Sequence, residues 1–351
     1  MRVAAQLARM GGTTGRRYAG LTKMERAGPV WTGETRARGD LLTWPLFRRQ
    51  SRRIAVDLMS DLFHETLATA TIDLLHAVIA VAHWHTFVVL TKRAPRMREY
   101  YHDPETPGRI AREIATLSSA ILPTEGADSR SVAIQIRGRP SPRRTTRRAR
   151  SAPGASTPPH WIPGLSRAKY EAPGASSTEI GHIGLEPWPL PNLWLGVSVE
   201  DQNSIRRLGD LLETPAALRW VCFEPLLDRV RPEAVPVGDG FFDALTGRHY
   251  AIDGRGRVIA VDGPAWRPLD WVVVGGEIGA GARPTQPNWI RAVRDQCVKA
   301  GVPFFFRQWG EWAPPPDEPS GQITVRVGKR TAGRLLDGRI WDEIPPALPS
   351  G

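Results

Sequence analysis

Residues 271–284 read WVVVGGEIGAGARP. Four apolar residues, three of them β-branched, have the composition of a strand buried on both faces. Gly275 and Gly276 stop it, and a polar loop with Glu277, Gly279, Gly281 and Arg283 comes next. Past Pro287, Trp289, Ile290, Val293 and Cys297 recur at helical spacing as far as Gly301. Residues 302–306 make a second apolar strand, closed by Arg307 and Gln308. Strand, polar loop, helix, strand is the repeating unit of parallel α/β folds.

The unit recurs outward from this stretch. Residues 54–59 form an expected strand leading to Asp61 and His64, with a helix over 69–82 after it. Residues 86–90 form a strand ending in Lys92 and Arg93, with helices over 95–101 and 110–122 beyond it. A strand over 193–199 carries Ser198 and leads to Glu200 and Asp201; a helix over 204–212 takes the chain to a strand over 219–223, ending in Glu224. The aromatic and β-branched residues around GRHY and DGRG make 238–263 an expected β-hairpin insert. A short helix is expected over 3–10. Six strands alternating with helices imply parallel pairing through right-handed crossovers. The expected fold class is therefore α/β, a parallel (β/α) partial barrel, with an open doubly wound sheet as the alternative. The chain then divides into four regions: residues 1–122 as the first part of the barrel, 123–187 as an insert, 188–313 as the second part and 314–351 as a turn-rich extension.

Composition narrows the function classes. The chain has 351 residues, 41% of them hydrophobic, a formal net charge of +11 and two cysteines. Eight arginines between 130 and 150, with Arg167 and Lys169 and no acid over 129–170, supply nearly all of that charge. The basic character belongs to the insert, whose Pro, Ser, Gly and Arg content gives it too little apolar surface to offset chain entropy, so disorder is expected there. Two cysteines exclude a disulfide framework, point to a reducing, cytoplasmic setting, and are too few for a thiolate metal site. The most apolar run, 67–84, is interrupted by Asp73, His76 and His83 and reads as a buried helix rather than a membrane span.

In parallel α/β folds, sites form at the C-terminal ends of the strands. The candidate pocket is accordingly Asp61, His64, Lys92, Arg93, Glu200, Asp201, Glu224, Glu277, Arg283, Arg307 and Gln308. Acids facing bases at one mouth suit a polar, anionic or zwitterionic ligand. Gly275, Gly276, Gly279 and Gly281 form a glycine-rich loop that offers backbone N–H groups to a phosphate or carboxylate; a tight strand-to-loop turn is the competing reading. Its spacing matches neither a dinucleotide fingerprint nor a phosphate-binding loop with its lysine. His64 pairs loosely with Asp61. His76 and His83, seven apart on the expected helix, and His85 are read as core or capping histidines. The arginine run 137–150 can contact phosphates of nucleic acid but has no interleaved aromatics for base stacking.

Seven collinear blocks carry a resemblance: LMSDLFHE (58–65), HTFVVLTKRAPRM (85–97), WPLPNLWLGVSVEDQ (188–202), FEPLL (223–227), LDWVVVGGEIGAGARP (269–284), DQCVKAGVPFFFRQWGEW (295–312) and VGKRTAGRLLDGRIWDEIP (327–345). Together they resemble the phage "gene product 37 / gene product 68" family, itself similar to the radical S-adenosylmethionine enzymes. The resemblance implies a partial barrel, a four-iron iron–sulfur cluster, S-adenosylmethionine, and a three-Cys-motif partner protein. Family members hold the cluster in a three-cysteine loop placed after a first strand. The opening VAAQLARMGGTTGRRYAGLT is similar to the family segment on the C-terminal side of that loop, and neither Cys222 nor Cys297 stands at a motif position. The resemblance also implies Ser where this chain has Ile278 and Lys where it has Arg307. The expectation is a barrel without first strand and cluster loop, no metal ligands, and no radical chemistry by this chain as written. The alternative is a non-catalytic phage protein that binds nucleic acid through the arginine-rich insert, or binds a partner protein.

Overall fold

In this computed structural model, residues 8, 19–26, 28–33, 42–56, 61–121, 185, 187–263, 266–315 and 323–346 are described. A hairpin of Thr22–Glu25 (β1) and Gly28–Trp31 (β2) comes first. The next strands, Arg53–Val56 (β3), Thr86–Thr91 (β4), Leu193–Ser198 (β5) and Leu218–Phe223 (β6), belong to the core. Four short strands then form a separate antiparallel sheet: Val235–Val237 (β7), Gly240–Asp243 (β8), Arg248–Ile252 (β9) and Val258–Val261 (β10). Trp271–Gly275 (β11) and Phe304–Gln308 (β12) complete the core. Helices Thr69–Val81 (α1), Ala94–His102 (α2), Thr106–Ile121 (α3), Arg206–Glu213 (α4) and Pro287–Ala300 (α5) connect the core strands.

The six core strands pair in the order β12-β11-β6-β5-β4-β3, and every pair is parallel. The sheet curls into a half barrel. Spatial order thus matches chain order, as successive βα units produce when each crossover returns beside its predecessor.

Side chains of successive strand residues point to opposite faces, and here the two faces are two separate cores. Phe87, Val89, Leu195, Val197, Val221, Phe223, Val272, Val274, Phe304 and Phe306 join the large helix-packed core. Val88, Trp194, Trp220, Cys222, Trp271 and Val273 form a second cluster on the inner face, with Leu90 and Phe305 against it. Each large apolar side chain taken out of water contributes about 1.5–3 kcal/mol. Both faces being covered explains why β11 reads as a continuous apolar run. Gly196 makes room for Trp220: a Cβ there would lie 2.3 Å from the indole.

Several expectations are corrected by the tertiary structure. The last core strand begins at Phe304, not 302. Val302 donates its N–H to Cys297 O behind Gly301, which closes α5 in the left-handed region at φ 71°. Pro303 has no N–H for a ladder, though its carbonyl accepts from Val272. The insert expected as one hairpin is a four-stranded sheet that starts earlier, at Val235. The β1–β2 hairpin was not expected. His76 and His83 do not share a helix face: α1 stops at Val81, so His76 is buried while His83 is exposed beyond its end. The expected strand over 54–59 is seen as far as Val56. Residues 57–60, nearly all of the expected helix over 3–10 and the basic run 129–170 lie outside the described residues.

The C-terminal extension covers one sheet edge. Phe306 donates to Trp341 O, and Glu343 donates to Phe304 O, so residues 341–343 run along the open side of β12. Trp271 Nε1 donates to Glu343 O at 2.9 Å, fastening the same segment to the inner core. Such coverage removes an edge prone to unwanted pairing. Among the described residues, no helix is long and apolar enough to cross a membrane.

Candidate functional site

The inner-face register places four charged side chains on one rim. Lys92 continues the row of Val88 and Leu90, Glu200 that of Trp194 and Ser198, Glu224 that of Trp220 and Cys222, and Arg307 that of Phe305. All four lie near enough to Cys222 to act on its thiol electrostatically. Burial dominates there, pushing the thiol well above its ordinary pKa and leaving it a neutral part of the floor.

Each rim carboxylate is nearly buried and holds cations that reach in from solvent. Glu200 is 13% exposed and pairs with Lys92, which is 49% exposed. Arg207 Nη1, from α4, donates to the other Glu200 oxygen at 2.8 Å and to Ser198 O at 2.7 Å. Burial alone pushes Glu200 up, but hydrogen bonds from Lys92 and Arg207 outweigh it and hold the group below the usual carboxylate range. Glu224, 12% exposed, accepts from Arg307 Nη1 at 2.8 Å and from Gln308 Nε2 at 2.7 Å. Gly275 is needed beside it, since a Cβ there would come within 2.9 Å of the Glu224 carboxyl carbon.

Most of the remaining predicted residues are engaged elsewhere, although Arg283 lies near enough to Glu200 for their charges to interact. Asp61 is consumed locally, accepting from the Thr91 hydroxyl at 2.6 Å, Phe63 N at 3.0 Å, Lys92 N at 2.9 Å and Arg93 Nη1 at 3.1 Å. It ties its loop to the end of β4. The His64 ring meets Thr66 and Glu65 rather than the Asp61 carboxylate, while the His64 backbone N–H donates to Asp61 O at 3.0 Å. Arg93 bridges Asp61 and Glu65, on the flank of a shallow depression lined by Glu65, Lys92, Arg93, Pro95, Arg96 and Glu99. Asp201 caps the 3-10 turn Gln202–Ile205 in a reciprocal box with Ser204, whose hydrogen bonds hold the carboxyl low.

The glycine-rich loop is filled by its own carboxylates. Glu277 accepts from Arg283 N at 2.8 Å, Nε at 2.9 Å and Nη2 at 3.1 Å. Glu311 accepts from Gly279 N at 2.9 Å. Trp312 Nε1 donates to Ala282 O, and Arg326 Nη2 to Gly279 O. Of the glycine N–H groups expected for an external anion, that of Gly279 is thus taken by Glu311 and that of Gly276 by Gln308 O at 2.9 Å, favouring the tight-turn reading. Gly276 and Gly310 bring two backbones together: a Cβ on Gly276 would lie 1.9 Å from Trp309 O. Gly281 has open space around it. Arg207 and Glu311 were missed from sequence because neither stands at a strand end. The alternation of side chains within each strand was the available signal for separating Lys92, Glu200, Glu224 and Arg307 from the rest.

The residues present do not fit a four-iron cluster. Cys222 lies on the inner face and Cys297 on α5, facing the outer core, so sheet separates the two. Burial pushes the Cys297 thiol up to about 12. No group of three histidine, cysteine or acidic side chains suited to a metal ion occurs among the described residues.

A family model, that of the protein of unknown function DUF5131, matches residues 3–345. The chain belongs to the DUF5131 family. The match covers the half barrel, the antiparallel insert and the C-terminal strap, so the rim described above is built within the DUF5131 region. Curated proteins and solved structures give no match.

Proposed function

We propose that the C-terminal rim of the half barrel binds a small zwitterionic ligand, in a phage-derived protein of radical S-adenosylmethionine-like descent that carries no cluster of its own. The observation behind this reading is the pairing of two nearly buried carboxylates, Glu200 and Glu224, with half-exposed cations, Lys92 and Arg307. A ligand ammonium or sulfonium replaces a cation at a carboxylate. The displaced Lys92 or Arg307, on a flexible stem, turns to the ligand carboxylate. Exchange of partners keeps every buried charge compensated, which an anionic or cationic ligand alone does not do. The apolar floor of Trp220, Cys222 and Val273 suits the ligand's non-polar part. The resemblance to cluster-bearing enzymes supplies the ligand class; the cysteine placement argues against cluster chemistry by this chain.

Calorimetric titration with S-adenosylmethionine as probe tests the reading. Binding is expected, weakened at least tenfold by Glu224→Gln, because neutralising a buried partner of a charged group costs about 2–5 kcal/mol. Absence of heat with S-adenosylmethionine, S-adenosylhomocysteine and methionine alike overturns it. Anaerobic reconstitution with iron and sulfide is expected to leave no thiolate-to-iron absorption. Stoichiometric retention of both would reverse the statement about the cluster.

A further inference from the structure

The opposite end of the sheet carries a second charged surface. Residues 44–53 read WPLFRRQSRR. They include the 3-10 turn Trp44–Phe47 and the first residue of β3. Arg53 pairs in register with Thr86, at the foot of β4. Lys92 on the rim is six residues further along, about 20 Å at the rise of a strand. This surface is therefore separate from the rim site.

Arg48, Arg49, Arg52 and Arg53 are all exposed, and none has a carboxylate partner among the described residues. Arg48 lies over the Trp44 ring at 4.9 Å and Arg53 over Trp194 at 5.1 Å. Among the described residues, Arg49 and Arg52 have neither an acid nor a ring against their guanidinium groups. Phe47 stands among them, 56% exposed. An unpaired cluster of four arginines repels itself, and a large exposed aromatic side chain within it adds an unfavourable apolar contact with water.

The segment is held in place. Trp84 Nε1 donates to Arg48 O at 2.6 Å, and Arg52 N donates to His85 Nδ1 at 3.1 Å. His85 Nε2–H then donates to Pro45 O at 3.1 Å. Two buried or half-buried side chains from the turn after α1 thus fix three backbone points of the basic segment. His85 is therefore more than a core histidine: it positions the arginines.

We infer that residues 44–53 form a binding surface for single-stranded nucleic acid. Arg49 and Arg52 take adjacent phosphates, and Phe47 stacks on an unpaired base. Arginines carried on a fixed backbone meet phosphate oxygens through paired N–H donors. An aromatic face among them favours a strand whose bases are open to stacking over a duplex, where they are hidden. A membrane surface would call for a continuous apolar face, and Phe47 is the one large apolar side chain more than half exposed in this segment. The surface differs from the arginine run 137–150, which brings charge without aromatics.

Fluorescence anisotropy of a labelled oligothymidylate with the full chain, over a series of salt concentrations, tests the inference. The double variant Arg49→Glu, Arg52→Glu is expected to bind at least tenfold more weakly. Its salt dependence should be shallower by about 1.4 in the log–log slope, at about 0.7 per lost phosphate contact. Phe47→Ala is expected to weaken binding about tenfold with an unchanged slope, since it removes stacking and no charge. Photocrosslinking with 4-thiothymidine oligomers should label peptides spanning 44–53. Equal affinity of the double variant overturns the inference, as do crosslinks confined to other segments. Tighter binding to phosphatidylserine vesicles than to the oligomer, insensitive to Phe47→Ala, assigns the surface to membranes instead and also overturns it. All substituted side chains are exposed, and circular dichroism checks that the variants fold.

Discussion

A single missing Cβ sets the geometry at three points in this half barrel, each for a different reason. Gly196 yields its volume to an indole, Gly275 to a carboxylate, and Gly276 to a backbone carbonyl. The neighbours differ in their ability to move. Trp309 O belongs to a backbone held on both sides, by Gly276 N on Gln308 O and by Glu311 N on Glu277 O, so nothing near Gly276 can yield cheaply. Gly276→Ala is expected to lower stability by about 3 kcal/mol, near the upper end of the usual cost of overpacking. Gly279→Ala meets no atom within 4 Å but sits at φ 105°, so its cost is backbone strain of about 1–2 kcal/mol. Urea denaturation of both variants orders them; a smaller loss at Gly276 would contradict the packing account. The sequence displayed Gly275, Gly276, Gly279 and Gly281 as one glycine-rich loop. It did not reveal which one guards an approach, because that depends on Trp309, more than thirty positions away in the chain.

Elements were the most legible level. The helical repeat in α5 and the β-branched run of β11 are decided within a few residues, by periodicity and side-chain shape, and the fold obeys them. Misplacements arose where a neighbour in space outranked a local preference. β12 begins two residues late because Val302 is engaged in closing α5. The 235–261 region forms a four-stranded sheet because a third and fourth strand were available to pair. Asp201 illustrates the same point: an acid at a strand end, read as a site residue, is engaged as a cap of the turn that follows it. Asp201→Ala is expected to cost about 1 kcal/mol of stability while changing the affinity of the rim for S-adenosylmethionine less than twofold. Thermal denaturation paired with calorimetry separates the two, and a tenfold loss of affinity would return Asp201 to the site.

On the scale of the whole molecule, acid should loosen the helix layer first. His76 is fully buried on α1. Its Nδ1–H donates to Ile72 O at 2.8 Å, and its Nε2 accepts from the Tyr101 hydroxyl at 2.7 Å. Tyr100 beside it donates to Asp73, which also binds Arg109. Burial pulls the His76 pKa down to about 4 from 6.5. The folded state therefore refuses a proton that the unfolded chain accepts, and stability falls as pH drops from 6.5 toward 4, by at most about 1.4 kcal/mol per pH unit. Carboxylates held low by hydrogen bonds, including Glu200, Asp201, Glu277 and Asp337, contribute in the same direction at still lower pH. Thermal melts between pH 7 and pH 5 on wild type and His76→Gln check this. The variant is expected to be less stable at pH 7 and flatter below 6.5; parallel curves would remove His76 as the cause.

The sequence by itself determined the α/β class, the parallel strands, the position of most helices and the burial of both cysteines. Each rests on short-range periodicity and on the cost of exposing apolar runs. Only the tertiary structure decided that strand order matches chain order, that the C-terminal strap covers the β12 edge, and that the strand-end polar set divides. Four of its members face one rim, Gln308 reaches that rim through Glu224, and the others are spent on caps and loop ties. The physical reason is that a carboxylate's role depends on which cation comes within about 3 Å of it. In this chain those cations are often dozens of residues away: Arg307 lies 83 positions from Glu224.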